Sequence, residues 1–204
     1  MLSQLELLDW KRRIFACYAE VRVSDDPAGA WALWRRTRDD LFASHPQSPI
    51  PEGSRGGFSG LDYFDYDPAF RVLGEVVEAE PRGYEIGASG GGTIAFDRFA
   101  SVRFELRGDV AELELYWLRG YGGGVFLPFA DGTSAAETYG AGRYLLDTVK
   151  GSDLGAGEDG GLVLDFNFAY NPSCSYDPAW VCPLATPNNR LTIAIEAGER
   201  HESG

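Results

Sequence analysis

Runs of alternating apolar and polar residues, separated by clusters of glycine, decide what this chain can fold into. Ile94, Phe96, Ala100, Val102, Phe104 and Leu106 share one parity, and Ser101, Arg103, Glu105 and Arg107 share the other. Successive side chains of a strand point to opposite faces, so such a run offers one face to a core and one to water. The alternation falters at residues 97–99, where Arg98 takes the apolar parity, and a β-bulge is expected there. DVAELELYWL repeats the pattern, with Leu113, Leu115 and Trp117 set against Glu112, Glu114 and Tyr116. RLTIAIEAG repeats it with Leu191, Ile193 and Ile195. Glycine clusters at 87–92, 120–124 and 155–161 punctuate these runs as turns. Short strands at regular spacing with glycine turns predict a mainly β fold, an antiparallel β-barrel of roughly eight strands.

The period differs before residue 70. Leu7, Trp10, Ile14, Cys17 and Val21 are spaced 3, 4, 3 and 4, so they line one face of a helix that Leu8, Phe15 and Tyr18 widen. Cys17 is then a packed core thiol. A second helix opens with Asp26 as N-cap and Pro27 in its first turn. Trp31, Trp34, Leu41 and Phe42 form its apolar side, and Arg35/Asp39 and Arg36/Asp40 are i,i+4 pairs on the other. Pro46 ends it. The expected organisation is an N-terminal helical arm of two helices over 1–45, an ordered connector over 46–69, the barrel over 70–200, and a tail over 201–204. Phe58, Leu61, Tyr63 and Phe64 make the connector one that packs rather than a flexible linker.

Charge narrows the partners. The net charge is −13, and residues 1–50 contribute nothing to it, with seven Lys/Arg against seven Asp/Glu. An acidic body repels phosphate backbones and anionic lipid, so neither nucleic acid nor membrane is the expected partner. No apolar run has the length of a membrane span, and the N-terminus lacks the order of a signal peptide, so a cytoplasmic location is expected. The three cysteines read there as thiols.

Several chemistries lack their residues. GASGGGT and YGGGVF have no Lys-Ser/Thr and open no helix, so they read as bends rather than phosphate loops. His45 ends the second helix, where it can cap carbonyls, and His201 falls in the tail. With no Cys-x-x-Cys and no His-Glu-x-x-His, no metal is expected. No motif points to a flavin or haem, so a cofactor is unspecified.

The stretch LDFNFAYNPSCSYDPAWVCPL, residues 164–184, concentrates the remaining chemistry. Read as a strand, 162–170 sets Leu162, Leu164, Phe166, Phe168 and Tyr170 on one face and Asp165 and Asn167 together on the other. In a barrel mouth these two, with Tyr170 and Asn171 beyond them, make a polar floor for a small ligand. FADGTSAAETYGAGRYLLD adds Glu137, Tyr139 and Arg143, the last able to pair an anionic group. Asp131 and Asn189 read as turn residues that satisfy their own backbone. Three functions follow. The preferred one is a small-molecule-binding barrel using Glu137, Tyr139, Arg143, Asp165, Asn167, Tyr170 and Asn171. The second is a hydrolytic or redox enzyme with Cys174 as nucleophile and Asp165 or Glu137 as acid/base. The third is a purely structural polar loop. Cys174 and Cys182 are open to burial, a bridge or a site.

VFLPFADGTSAAETYGAGRYLLD, the 164–199 segment, HPQSPI and GLDYFDYDP together resemble the family called domain of unknown function 1684, from about residue 40 to residue 199. The family's recurring polar positions fall on Glu137, Tyr139, Arg143, Tyr144, Asp165, Asn167, Tyr170, Asn171, Cys174, Cys182, Asn189 and Glu199. SAA stands where the family tends to have glycine, before Glu137. The resemblance implies no activity.

Overall fold

A computed structural model describes residues 2–201. Two helices come first, α1 (Ser3–Val23) and α2 (Pro27–Ser44). Asp26 caps α2 by accepting the Gly29 N–H at 3.0 Å, with Pro27 in the first turn. Trp31, Trp34, Leu41 and Phe42 are all buried, worth roughly 2–3 kcal/mol for a side chain of this kind. On α1 the buried stripe is Ile14, Cys17 and Tyr18; Leu7, Leu8 and Phe15 remain exposed. The helices are joined by the Trp34 indole N–H, which donates to the Tyr18 hydroxyl at 3.0 Å. Trp31 donates to the Asn167 carbonyl at 2.9 Å and so pins α2 to the barrel. Arg35 lies over the Trp31 and Tyr63 rings, at 4.6 and 4.7 Å, and Asp39 accepts the Leu61 N–H. These tertiary contacts take the place of the expected i,i+4 pairing. Among the described residues no helix is long and apolar enough to cross a membrane.

Six strands follow: β1 (Arg71–Gly87), β2 (Thr93–Leu106), β3 (Asp109–Leu118), β4 (Val125–Phe129), β5 (Arg143–Asp147) and β6 (Leu162–Asp165). They form one antiparallel sheet in the order β5-β4-β3-β2-β1-β6. Tyr144 on β5 and Tyr170, just past β6, exchange both backbone hydrogen bonds, at 2.9 and 3.1 Å. That bridge brings the two edges together into a nearly closed barrel. The β2–β3 turn is two residues, Arg107 and Gly108, both at positive φ, the geometry that matches strand twist in a tight hairpin.

The expected bulge is present: the β2–β3 register shifts between Arg98 and Ala100. It also corrects one reading. Beyond the bulge Tyr116 is fully buried while Trp117 is 45% exposed. Tyr116 joins Phe96, Phe126, Tyr144 and Ile86 in a second apolar cluster, apart from the main core of Val102, Leu113, Phe129 and Phe166. The extra residue is Phe99 on β2, so Phe96 crosses to the face of Tyr116, whose hydroxyl donates to Glu114; β3 keeps its alternation, and the second cluster lies on the face opposite Leu113 and Leu115.

The barrel has six strands, not eight, because two alternating segments are not ladder strands. Residues 191–199 run as a strap held by scattered backbone bonds and, between them, by side chains. Asp131 Oδ1 accepts the Ile195 N–H at 3.1 Å, and Arg143 donates to the carbonyls of Ile195 and Ala197. The run 162–170 stops as a strand at Asp165 and tightens into a single 3-10 turn, Phe166–Phe168. Asn189, expected to satisfy its own turn, reaches across instead: its amide serves the Pro128 and Glu114 carbonyls and the Glu114 N–H.

Candidate functional site

Asp165 is where β6 ends, and it causes the ending. Its Oδ1 accepts both the Asn167 backbone N–H at 3.1 Å and the Asn167 side-chain amide at 2.8 Å, an arrangement that turns the chain. Asn167 is thereby fully occupied. Its amide also donates to the Asp67 carbonyl and accepts the Asp67 N–H, clamping the connector to the barrel. The two residues do lie together, but through a turn and not as neighbours on one strand face.

Asp165 also borders a cavity of about 280 Å³ between the end of α1, the start of α2 and β6. Arg22, Ser24, Pro27, Ala30 and Arg71 line it with Asp165. Arg71 stands directly across the β1–β6 ladder from Asp165, its Nε 3.7 Å from Oδ2. Arg22 is held by the Asp153 carbonyl at 2.9 Å. Burial pushes the Asp165 carboxyl up to about 6, against the lowering by the Asn167 hydrogen bonds and the Arg71 charge. The cavity therefore combines a buried carboxyl that titrates near neutrality with two guanidinium groups. The N-terminus of α2 opens on the same space and adds its positive dipole end.

The other expected site residues fall into three further places. Arg143 is in the core, fully buried, with Nη2 2.9 Å from Asp131, Nη1 and Nη2 on strap carbonyls, and Nε without a partner among the described residues. Tyr170 and Asn171 border a second cavity, of about 60 Å³, with Tyr18, Trp34, Arg38 and Ser152. That space suits a few waters. Asn171 is tied to the C-terminal segment by the Glu199 carboxylate and the Arg200 carbonyl. Glu137 and Tyr139 lie near the chain's end. Glu137 is 3.9 Å from Arg200, and the edge of Tyr139 meets His201, with ring centroids 5.2 Å apart. His201 is thus packed rather than a free tail residue, and its N–H donates to the Glu137 carbonyl.

Cys174 meets Tyr139, its Sγ 3.9 Å from the hydroxyl, and neighbours Cys182. All three cysteines are free thiols and buried. Asp165 borders a cavity to which Cys174 does not contribute. His45 ties α2 to α1: Nε2 is 3.3 Å from Asp9, and Nδ1 accepts the Gln47 N–H. It caps no carbonyl with its ring. Among the described residues no group of three or more His, Cys, Asp or Glu could hold a metal ion.

Sequence reasoning passed over Arg22, Arg71 and Arg38. Arg38 is buried against Glu199 at 2.6 Å and lies over the Tyr170 ring. No motif marks these arginines. Arg71 gains its place only through the β1–β6 register, which one sequence does not display.

Comparison with known proteins agrees with this architecture. A solved structure similar to this chain is the solution NMR structure of an uncharacterized protein from Haloarcula marismortui, with 35% sequence identity and a TM-score of 0.59. The match covers 81% of this chain and 89% of that one. No curated protein matches. Residues 56–200, the whole barrel with part of the connector, match the family model described as "Protein of unknown function (DUF1684)", and the chain belongs to that family.

Proposed function

We propose that the protein binds a small anionic molecule bearing a hydroxyl group, in the cavity between Asp165, Arg71 and Arg22. The observation that carries this reading is the carboxyl of Asp165, 1% exposed as a residue, bordering a cavity of about 280 Å³ with two arginines around it. A perturbed carboxyl in a cleft is a mark of a site, and the volume is near the lower end of ligand pockets. Arg71 and Arg22 would take a carboxylate, and ionised Asp165 would accept the hydroxyl. A short 2-hydroxy acid carries both groups on adjacent carbons. Asn167 acts as the positioning residue, because it holds Asp165 Oδ1 and leaves Oδ2 turned to Arg71. Arg143 contributes by holding the strap and takes no ligand in this reading. The partner is a small molecule rather than nucleic acid or membrane, in keeping with the net charge of −13. Three free thiols fit a cytoplasmic setting.

Isothermal titration with glycolate tests the proposal. The wild-type protein should bind it saturably in the millimolar range or tighter. Arg71→Gln should weaken binding about tenfold, the equivalent of one charge-assisted contact. Arg103→Gln, a substitution on the exposed face of β2, should leave it unchanged. Equal affinity in Arg71→Gln and wild type, or no saturable binding, would overturn the assignment.

A further inference from the structure

Away from that cavity, the chain leaves the bridge at Tyr170, makes the short turn Ser173–Ser175, and returns along the β1–β2 turn at Cys182. The return is firmly held. The Cys182 N–H donates to Ser89 Oγ at 3.0 Å, the Ser89 N–H donates back to the Cys182 carbonyl at 3.0 Å, and Ser89 Oγ reaches the Trp180 carbonyl at 3.0 Å. Against this anchor the turn presents Cys174, whose sulfur neighbours the Cys182 thiol and lies within reach of Ser89 and 3.9 Å from the Tyr139 hydroxyl. Two free thiols face each other across eight positions of sequence, with hydroxyl groups arranged around one of them.

The turn that carries Cys174 is less well satisfied than the segment that carries Cys182. Ser175 Oγ and Tyr176 Oη are both buried without a hydrogen-bond partner among the described residues. Buried polar groups without partners are uncommon, and a segment holding two of them gains by rearranging. The turn is a single 3-10 turn, so few backbone hydrogen bonds resist its movement.

We propose that Cys174 and Cys182 form a two-thiol redox site that is oxidised by a small hydroperoxide. The Cys174 thiolate attacks one peroxide oxygen. The O–O bond breaks, a sulfur–oxygen bond forms, and the leaving oxygen departs as an alcohol or water after taking up a proton. The Cys182 thiol then attacks the Cys174 sulfenic acid, the new S–S bond forms, and the hydroxyl leaves as water. Two electrons pass from the two sulfurs to the peroxide, and a dithiol reductant returns them. Tyr139, 3.9 Å from the sulfur, is placed to hydrogen-bond the thiolate. The hydrogen bonds from Cys182, then Ser89 and Tyr139, outweigh burial and hold the Cys174 thiol below its ordinary range, while Cys182 is held above it. The Tyr139 hydroxyl beside Cys174 gives that thiol the attacking role and leaves Cys182 to resolve. A hydroperoxide is the oxidant of choice on size. Both cysteines are buried, at 7% and 3% exposure, which keeps a bulky disulfide from aligning with the sulfur. Cys17, packed in α1 with its thiol raised by burial, is the internal control.

Intact-mass and peptide analysis after one equivalent of hydrogen peroxide tests the proposal on the full chain. No Lys or Arg lies between Lys150 and Arg190, so trypsin releases Cys174 and Cys182 in one peptide. That peptide should lose two hydrogens and regain them on treatment with dithiothreitol, while Cys17 stays reduced. In Cys182→Ser the reaction should stop at a Cys174 sulfenic acid, trapped by dimedone. In Cys174→Ser, Cys182 should stay unmodified. If either variant fails to fold, wild-type alkylation by iodoacetamide decides: Cys174 should react at least about tenfold faster than Cys17. Oxidation of Cys17 at the rate of the pair, alkylation of Cys174 no faster than Cys17, or a pair that goes to sulfinic acid without a disulfide would overturn it.

Discussion

Replacing Asp165 with Asn separates the cost of the buried charge from the shape of the turn. Asn keeps an oxygen for the Asn167 N–H and amide, and removes the ionisation. The carboxyl titrates near 6 in the folded protein against an ordinary value of 3.8. Between those values the folded state holds a proton that the unfolded chain has released. Stability therefore falls as pH rises through that window and levels off above it. A shift of that size amounts to roughly 3 kcal/mol in all, of which about 2 kcal/mol develops between about pH 4.5 and about pH 7.5. Asp165→Asn removes this dependence. Any cost of the amide itself is present at both pH values and cancels in the difference. Urea denaturation of both proteins at the two pH values measures it. Relative to wild type, the variant should gain about 2 kcal/mol on going from the lower to the higher pH. A difference near zero would refute the reasoning. A difference of the opposite sign would show that Arg71 stabilises the carboxylate more than burial opposes it.

Other positions give equally direct outcomes. Arg143→Ala removes the partner of a buried carboxylate and three strap contacts, and should cost about 3–5 kcal/mol in chemical denaturation, with the strap losing amide-exchange protection first. Gly74→Ala should cost about 1–3 kcal/mol in the same assay, because a Cβ there meets the side chains of Val102 and Leu164 where β1 crosses the core. Glycolate binding, measured by calorimetry, should strengthen as pH rises from about 5 to about 7, because ionised Asp165 accepts the hydroxyl more strongly than the protonated carboxyl.

How much of this was readable beforehand depends on whether the information was local. The Asp26 cap and the bulge near Phe99 are statements about neighbouring residues, and each is in the fold; the α1 stripe is there in Ile14, Cys17 and Tyr18, while Leu7, Leu8 and Phe15 stay exposed. The strand count failed where a long-range side chain overrode a local pattern. Residues 191–195 alternate as a strand does, yet they share only isolated backbone bonds with residues 130–132, and Asp131 and Arg143 side chains take over at Ile195. Phe166 and Phe168 fit a period of two, yet the Asp165 side chain bends the chain into a turn. The proposed site was legible in Asp165, a carboxylate at a strand end beside an amide. It was not legible in Arg22 or Arg71, which reach the cavity by helix docking and strand register. Arg143 looked like an anion receptor because arginine beside carboxylates has that chemistry; the fold commits it to the core.

The account rests on Asp165 being a buried carboxyl that meets a ligand, and a carbon-13 NMR pH titration of its side chain, without and with saturating glycolate, tests that most directly. The free protein should show a midpoint near 6, and the ligand's hydroxyl, donating to the carboxylate, should move that midpoint down. A midpoint at the ordinary aspartate value, or one that glycolate leaves in place, would contradict it.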